Sequence, residues 1–298
     1  GEGVRLACES GAEPEHVPAV KPYAVRILHS FCLFPNTSPF GNALLSVFHS
    51  HNQELIMLLT TREEREQANQ KNRKIVLNFL LLHRYSTLKN IAFELGHKST
   101  ASASRILKRL CYEKLVKKEV FKEEFINVTL FGITQKGIDE VGVFVDEHQP
   151  FYKSRVSLRN LKHTVANQRT GTIIKRKIDL DDLMLINTEF GNLTKYKHIV
   201  SFKHRPDLLV VGRLPKSDKV RVFAVETELS LKDTKRYRKI WREYLSKVRT
   251  EKLTQVWYCV KDNAAKERLL TIWEKEKRTL LMANERDFIH VISMASWL

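Results

Sequence analysis

The sequence predicts an α/β (α+β) protein in two unlike parts, and three observations predict it. Between about 62 and 133, three helical periodicities are followed by two β-prone runs; from 204 onward, apolar strand-like runs alternate with amphipathic helical ones. Of the 51 Lys and Arg, 48 lie beyond residue 56, against 29 of the 34 Asp and Glu, so the positive excess belongs to those two parts. A formal net charge of +17 over 298 residues points to a polyanionic partner.

Residues 1–56 differ from the rest. They hold 3 basic and 5 acidic residues and five of the eight prolines, and they show no sustained period before Asn42. They are expected to be a disordered leader or a non-native extension, with Met57 as a natural start. The alternative is a genuine arm. Domains are then expected over 57–148 and 149–298, the division falling where EHQPFY (147–152) brings the first proline since Pro39.

Cys8, Cys32, Cys111 and Cys259 are widely spaced and form no paired motif, which argues for a reducing compartment and against structural zinc. No apolar run approaches the roughly 18 residues of a membrane span. The expectation is a soluble cytoplasmic protein without membrane insertion.

The first helix is expected over 62–84, burying Ile75, Val76, Phe79, Leu80 and Leu82. Ser86 or Thr87 caps a second, in which Leu88, Ile91, Ala92 and Leu95 recur at helical spacing until Gly96 stops it. The third starts after Ser99 or Thr100, buries Ala103, Ile106, Leu107 and Leu110, and shows Ser102, Arg105, Lys108, Arg109 and Tyr112 on its other face. Two strands follow, 116–121 and 126–133, and Thr134 caps a further helix. Three helices and a β-hairpin in this order make a winged helix, whose third helix enters the major groove. The segment RILKRLCYEKLVKKE followed by FGITQKG resembles winged-helix regulators. Ser102, Arg105, Lys108 and Arg109, with Lys118 on the hairpin, are the expected DNA contacts.

In the second part, a helix is expected over 154–171 with Val156, Leu161 and Val165 inward and His163 on it. Residues 178–190 are apolar but acid-rich and resist assignment. HRPDLLVV (204–211) and VFAVETE (222–228) read as two strands joined through PKSDK (215–219). Asp207 would open the first and Glu226 and Glu228 close the second, so a hairpin gathers three acids. Gathered acids call for a divalent cation, and hard oxygen ligands suit Mg2+ or Mn2+; the alternative is that they are solvated hairpin-end acids.

A basic helix (231–252) with nine basic and three acidic residues comes next, then a strand (254–260), a helix (263–281) and a last strand (288–292). Tyr237, Trp241 and Tyr244 share one face of the basic helix and are core by default. Arg236, Arg238 and Lys239 would line a DNA-backbone groove.

The pairing of Pro206-Asp207 with Glu226-x-Glu228 resembles the PD-(D/E)xK signature of restriction-endonuclease-like nuclease cores, departing from it where Glu228 replaces the lysine. Lys232 or Lys235 could restore that charge. With the winged helix, His163 and the KRYRKIW helix in one order, the chain from about Asn72 resembles the replication-relaxation family of plasmid proteins, and within it the MOBC-class relaxases. That resemblance implies a metal-dependent endonuclease nicking a plasmid transfer origin in conjugative mobilisation. Asp207, Glu226 and Glu228 would hold the metal, Lys232 or Lys235 would support the phosphate, and His163 would orient a ligand. The implied partners are double- and single-stranded plasmid DNA, with accessory relaxosome and coupling proteins. Two alternatives stand: a non-catalytic winged-helix replication initiator or transcriptional regulator, and a restriction-type double-strand endonuclease.

Overall fold

A computed structural model describes residues 61–123, 126–142, 148–190, 201–215 and 219–295. The leader expected over 1–56 and the start at Met57 lie outside the described residues. From Arg62 onward the chain forms one compact unit.

Its N-terminal part begins with α1 (Arg62–His83), which buries Val76, Leu77, Phe79, Leu80 and His83. The buried stripe is turned from the expected one: Leu77 and His83 take the places of Ile75 and Leu82. A three-residue strand, β1 (Tyr85–Thr87), leads into α2 (Leu88–Glu94). Thr87 caps α2 by accepting from the Asn90 N–H at 3.3 Å. Gly96, at φ +75°, closes it in the left-handed region where a side chain would be strained. Helix α3 (Thr100–Tyr112) is amphipathic, with Ala103, Leu107 and Leu110 buried.

The hairpin β2 (Val116–Glu123) and β3 (Ile126–Ile133) follows, then α4 (Gln135–Val141), which Thr134 caps by accepting the Gly137 N–H. β1 pairs antiparallel with β3, giving a three-stranded sheet in the order β1-β3-β2. Leu80, Ile91, Leu107, Leu110, Leu115, Ile133 and Ile138 form one core shared by the four helices and the hairpin. The result is a winged-helix-like module of three helices and a hairpin, with α4 packed against α1.

The C-terminal part is a five-stranded mixed sheet in the order β4-β5-β6-β7-β8: β4 (Asp181–Asn187), β5 (Leu208–Arg213), β6 (Val220–Glu228), β7 (Gln255–Val260) and β8 (Ile289–Ser293). The first three are antiparallel and the last three parallel. Helix α5 (Leu161–Lys177) covers one face; α6 (Thr234–Arg249) and α7 (Asn263–Leu280) cover the other. Alternation along the strands divides the core. Leu208, Val210, Phe223 and Val225 pack towards α5, and Leu209, Val211, Val222 and Ala224 towards α6 and α7.

Helix α5 departs from the expected 154–171. A 3-10 turn occupies Lys153–Arg155, and the helix proper starts at Leu161 and runs on to Lys177. Gly171 does not stop it. A Cβ there would lie 2.9 Å from Leu185 and 3.4 Å from Leu208, so this glycine is where the helix backbone presses against the sheet. The acid-rich segment 178–190 supplies the edge strand β4, left unassigned by its composition.

Candidate nucleic-acid interface

The exposed face of α3 follows from its buried one. With Ala103, Leu107 and Leu110 fixed in the core, Arg105, Lys108, Arg109 and Tyr112 fall on the solvent side, and Ser102 lies at the margin. Tyr112 is 89% exposed, an aromatic ring left in water at the end of a basic helix. Ser99 precedes the helix in extended conformation and makes no side-chain cap, so it does not occupy the first N–H groups of α3. On the hairpin, Lys118 and Lys122 are exposed.

Arg109 is partly committed, its Nε donating to Glu113 at 3.1 Å. Glu113 also takes Arg73 of α1, which reaches Glu140 at 2.9 Å. This network holds the Glu113 carboxyl below the usual range, the Arg73 hydrogen bond being the largest cause. Arg105 and Lys108 are therefore the cations of α3 best placed to meet a phosphate.

The acids of the second part are brought to one end of β5 and β6 but are divided among separate partners. Asp207 accepts the Thr227 N–H at 2.7 Å, and His163 Nε2 lies 3.5 Å from the same oxygen. His163 also contacts the Thr227 carbonyl at 3.0 Å, and the Asp207 hydrogen bond raises its pKa. On the face of the sheet that α6 covers, Tyr244 donates to Oε1 of Glu226, and His204 Nε2 lies 2.8 Å from the same oxygen. Glu228, two residues on and on that same face, pairs with Lys232. Its carboxyl is pushed up by burial, which Lys232 partly offsets.

The side chains of Glu226 and Glu228 retain only 5% and 3% of their exposure, against 23% for Asp207, so two of the three are closed off from solvent by their partners. Among the described residues no group of three His, Cys, Asp or Glu side chains is placed to hold a metal ion. The metal-dependent nicking endonuclease expected from the sequence is therefore not supported by the side chains described. Asp207, Glu226 and Glu228, expected to converge as ligands, are instead each satisfied within the fold. Lys232, expected to support a phosphate, is the counter-ion of Glu228. Lys235 is exposed on the first turn of α6.

The remaining residues sort by contact. Tyr237, Trp241 and Tyr244 are core, as their shared face predicted; Tyr237 stacks on Trp241 with centroids 5.1 Å apart, and Trp241 donates to Tyr258 at 3.1 Å. Arg238 is held in a bidentate pair by Glu276 of α7, at 2.5 and 2.7 Å. Arg236 and Lys239 are exposed. Two side chains that engage the acids escaped the sequence reading. The place of His204 beside Pro206-Asp207 was visible but its reach to Glu226 was not, and Tyr244 read only as core.

Fold and site together define a mixed α/β protein with a winged-helix-like module ahead of a mixed-sheet domain. No family model matches the chain and no curated protein matches it, and with the acids so arranged the resemblance to MOBC-class relaxases and a PD-(D/E)xK core is not upheld. Two solved structures are similar to part of it. One is a mutant of MepR from a multidrug resistant S. aureus clinical isolate, 19% identical, covering 47% of this chain and 99% of that one, with a TM-score of 0.23. The other is a mutant of Lactococcus lactis ZitR in apo form, 18% identical, covering 48% and 86%, with a TM-score of 0.21. At such scores neither carries an argument; the order and pairing of the elements do. Among the described residues no helix is long and apolar enough to cross a membrane.

Proposed function

We propose that the protein is a non-catalytic winged-helix DNA-binding protein, acting as a transcriptional regulator or replication initiator. The observation that carries this is the division of α3 into a locked apolar face and an exposed face bearing Arg105, Lys108, Arg109 and Tyr112. Cations on the rigid helix that follows a helix-turn are placed to enter a groove, and Lys118 and Lys122 on the hairpin extend the positive surface. The net charge of +17 supplies the long-range attraction.

The acids support the same reading. Each forms part of the second domain's framework, so the sheet serves as a scaffold. Titrating labelled duplex DNA with and without Mg2+ at matched ionic strength should give the same affinity, and supercoiled plasmid incubated with Mg2+ or Mn2+ should stay supercoiled. Nicked or linear product that disappears in Asp207→Ala would overturn the proposal.

A further inference from the structure

We infer that α6 carries a second nucleic-acid contact, a stripe of Lys235, Lys239 and Arg242 with Arg236 at its flank, that grips the phosphate backbone; this rests on the DNA-binding function proposed above. The three stripe residues recur at i, i+4 and i+7, and so lie on one side of the helix. Tyr237, Trp241 and Tyr244 recur at the same spacing two residues later and are fully buried, which fixes the basic side outward. All four cations are exposed. Arg238 belongs elsewhere, being tied to Glu276.

The acids that could neutralise the stripe are engaged by other groups. Glu243, the one carboxylate within α6, accepts the backbone N–H groups of Lys203 and His204. Asp233 is the N-cap, accepting the Arg236 N–H at 2.9 Å. Glu276 of α7 feels the charge of Arg242, but both its oxygens are taken by Arg238. Among the described residues no acid forms an ion pair with Lys235, Arg236, Lys239 or Arg242.

Their position also opposes local stability. Lys235 and Arg236 stand in the first turn of α6, which contains no acid beyond the N-cap Asp233, so they face the positive end of the helix dipole. A helix selected for stability alone would favour Asp or Glu over Lys235 and Arg236 in that turn. Placing cations against the dipole makes sense where the pair meets an anion, and the helix end then adds to the attraction. From Lys235 to Arg242 the stripe is about 10 Å long at about 1.5 Å per residue, roughly the axial length of three phosphates on one strand. An irregular solvated surface would not align the cations on one ridge and commit the neighbouring acids elsewhere.

The test is the salt dependence of duplex binding by the full chain, between roughly 50 and 200 mM salt. The variant Lys235→Gln/Arg236→Gln/Lys239→Gln/Arg242→Gln should lower the slope of log K against log salt by about 3 to 4, at about 0.9 for each phosphate no longer neutralised. It should also melt no lower than the wild type, because two cations leave the positive helix end. Lys239→Gln alone, a single exposed change, should lower the slope by about 1. An unchanged slope in either variant, with the wild type binding normally, overturns the stripe and leaves the winged helix untouched. Failure of the wild type to bind duplex DNA at all overturns the proposed function and the stripe together.

Discussion

The side-chain amide of Gln168 in α5 donates to the main-chain carbonyl of Tyr85 in β1 at 2.7 Å, joining the sheet domain to the winged-helix-like module. Its Oε1 accepts from Ser86 at 2.6 Å and from Asn90 at 3.2 Å, and Asn90 also donates to the Val165 carbonyl at 2.8 Å. The seam is buried and polar, and each group in it depends on the others.

Gln168→Leu would therefore leave three buried polar groups short of a partner while nearly preserving side-chain volume. At about 1–3 kcal/mol for each unsatisfied group, a loss of about 3 kcal/mol is expected, read from the urea midpoint at unchanged m-value. A loss below about 1 kcal/mol would mean that the seam tolerates water or rearrangement.

His83 contributes to the acid side of the stability profile. It is fully buried at the end of α1, its Nδ1 2.8 Å from Asn187 Nδ2, and burial, with Lys175 adding to it, lowers its pKa from 6.5 to about 3. The unfolded chain takes up this proton below 6.5 and the folded one does not. Its contribution is therefore complete above pH 6.5 and is lost as the pH falls towards about 3, by about 1.4 kcal/mol per pH unit. His83→Gln should flatten the stability curve in that interval, whatever its effect at neutral pH. An equally steep curve in the variant would assign the acid loss to other groups.

His204 acts in the opposite sense. Its hydrogen bond to Glu226 is the largest cause of a pKa raised above the ordinary 6.5, against the lowering effect of burial. A raised pKa means that the folded state holds the proton more tightly, so this stabilisation is full below pH 6.5 and is lost as the pH rises through the raised value. Thermal melts of His204→Gln across that alkaline interval should show a shallower decline than those of the wild type. Parallel curves would show that the pair is not charged in the fold.

The elements with strong local signals were legible: Thr87 and Thr134 as caps, the apolar face of α3, and the β5 and β6 runs flanked by acids. What failed depended on residues distant in sequence. Gly171 looks like a helix stop until Leu185 and Leu208 are seen packed against it. β1 is only three residues long and exists because β3 pairs with it. Gln168, Ser86 and Asn90 are polar and carry no local signal for the interior, yet they satisfy one another there. The acids misled for the same reason. Their convergence in sequence suggested a shared cation, whereas His163, Tyr244, His204 and Lys232 each claim one of them. Spacing along two strands shows where carboxylates gather, but not which side chains from the helices reach them first.

The central claim, that α3 is the DNA-contacting helix, is tested most directly by measuring duplex binding by Arg105→Ala/Lys108→Ala across a salt titration. Removing two phosphate-neutralising cations should lower the slope of log K against log salt by about 2 and weaken binding at physiological salt, while the melting temperature stays within about 2 °C because both side chains are exposed. An affinity and slope equal to the wild type's would contradict the account and place the DNA contact, if any, elsewhere on the protein.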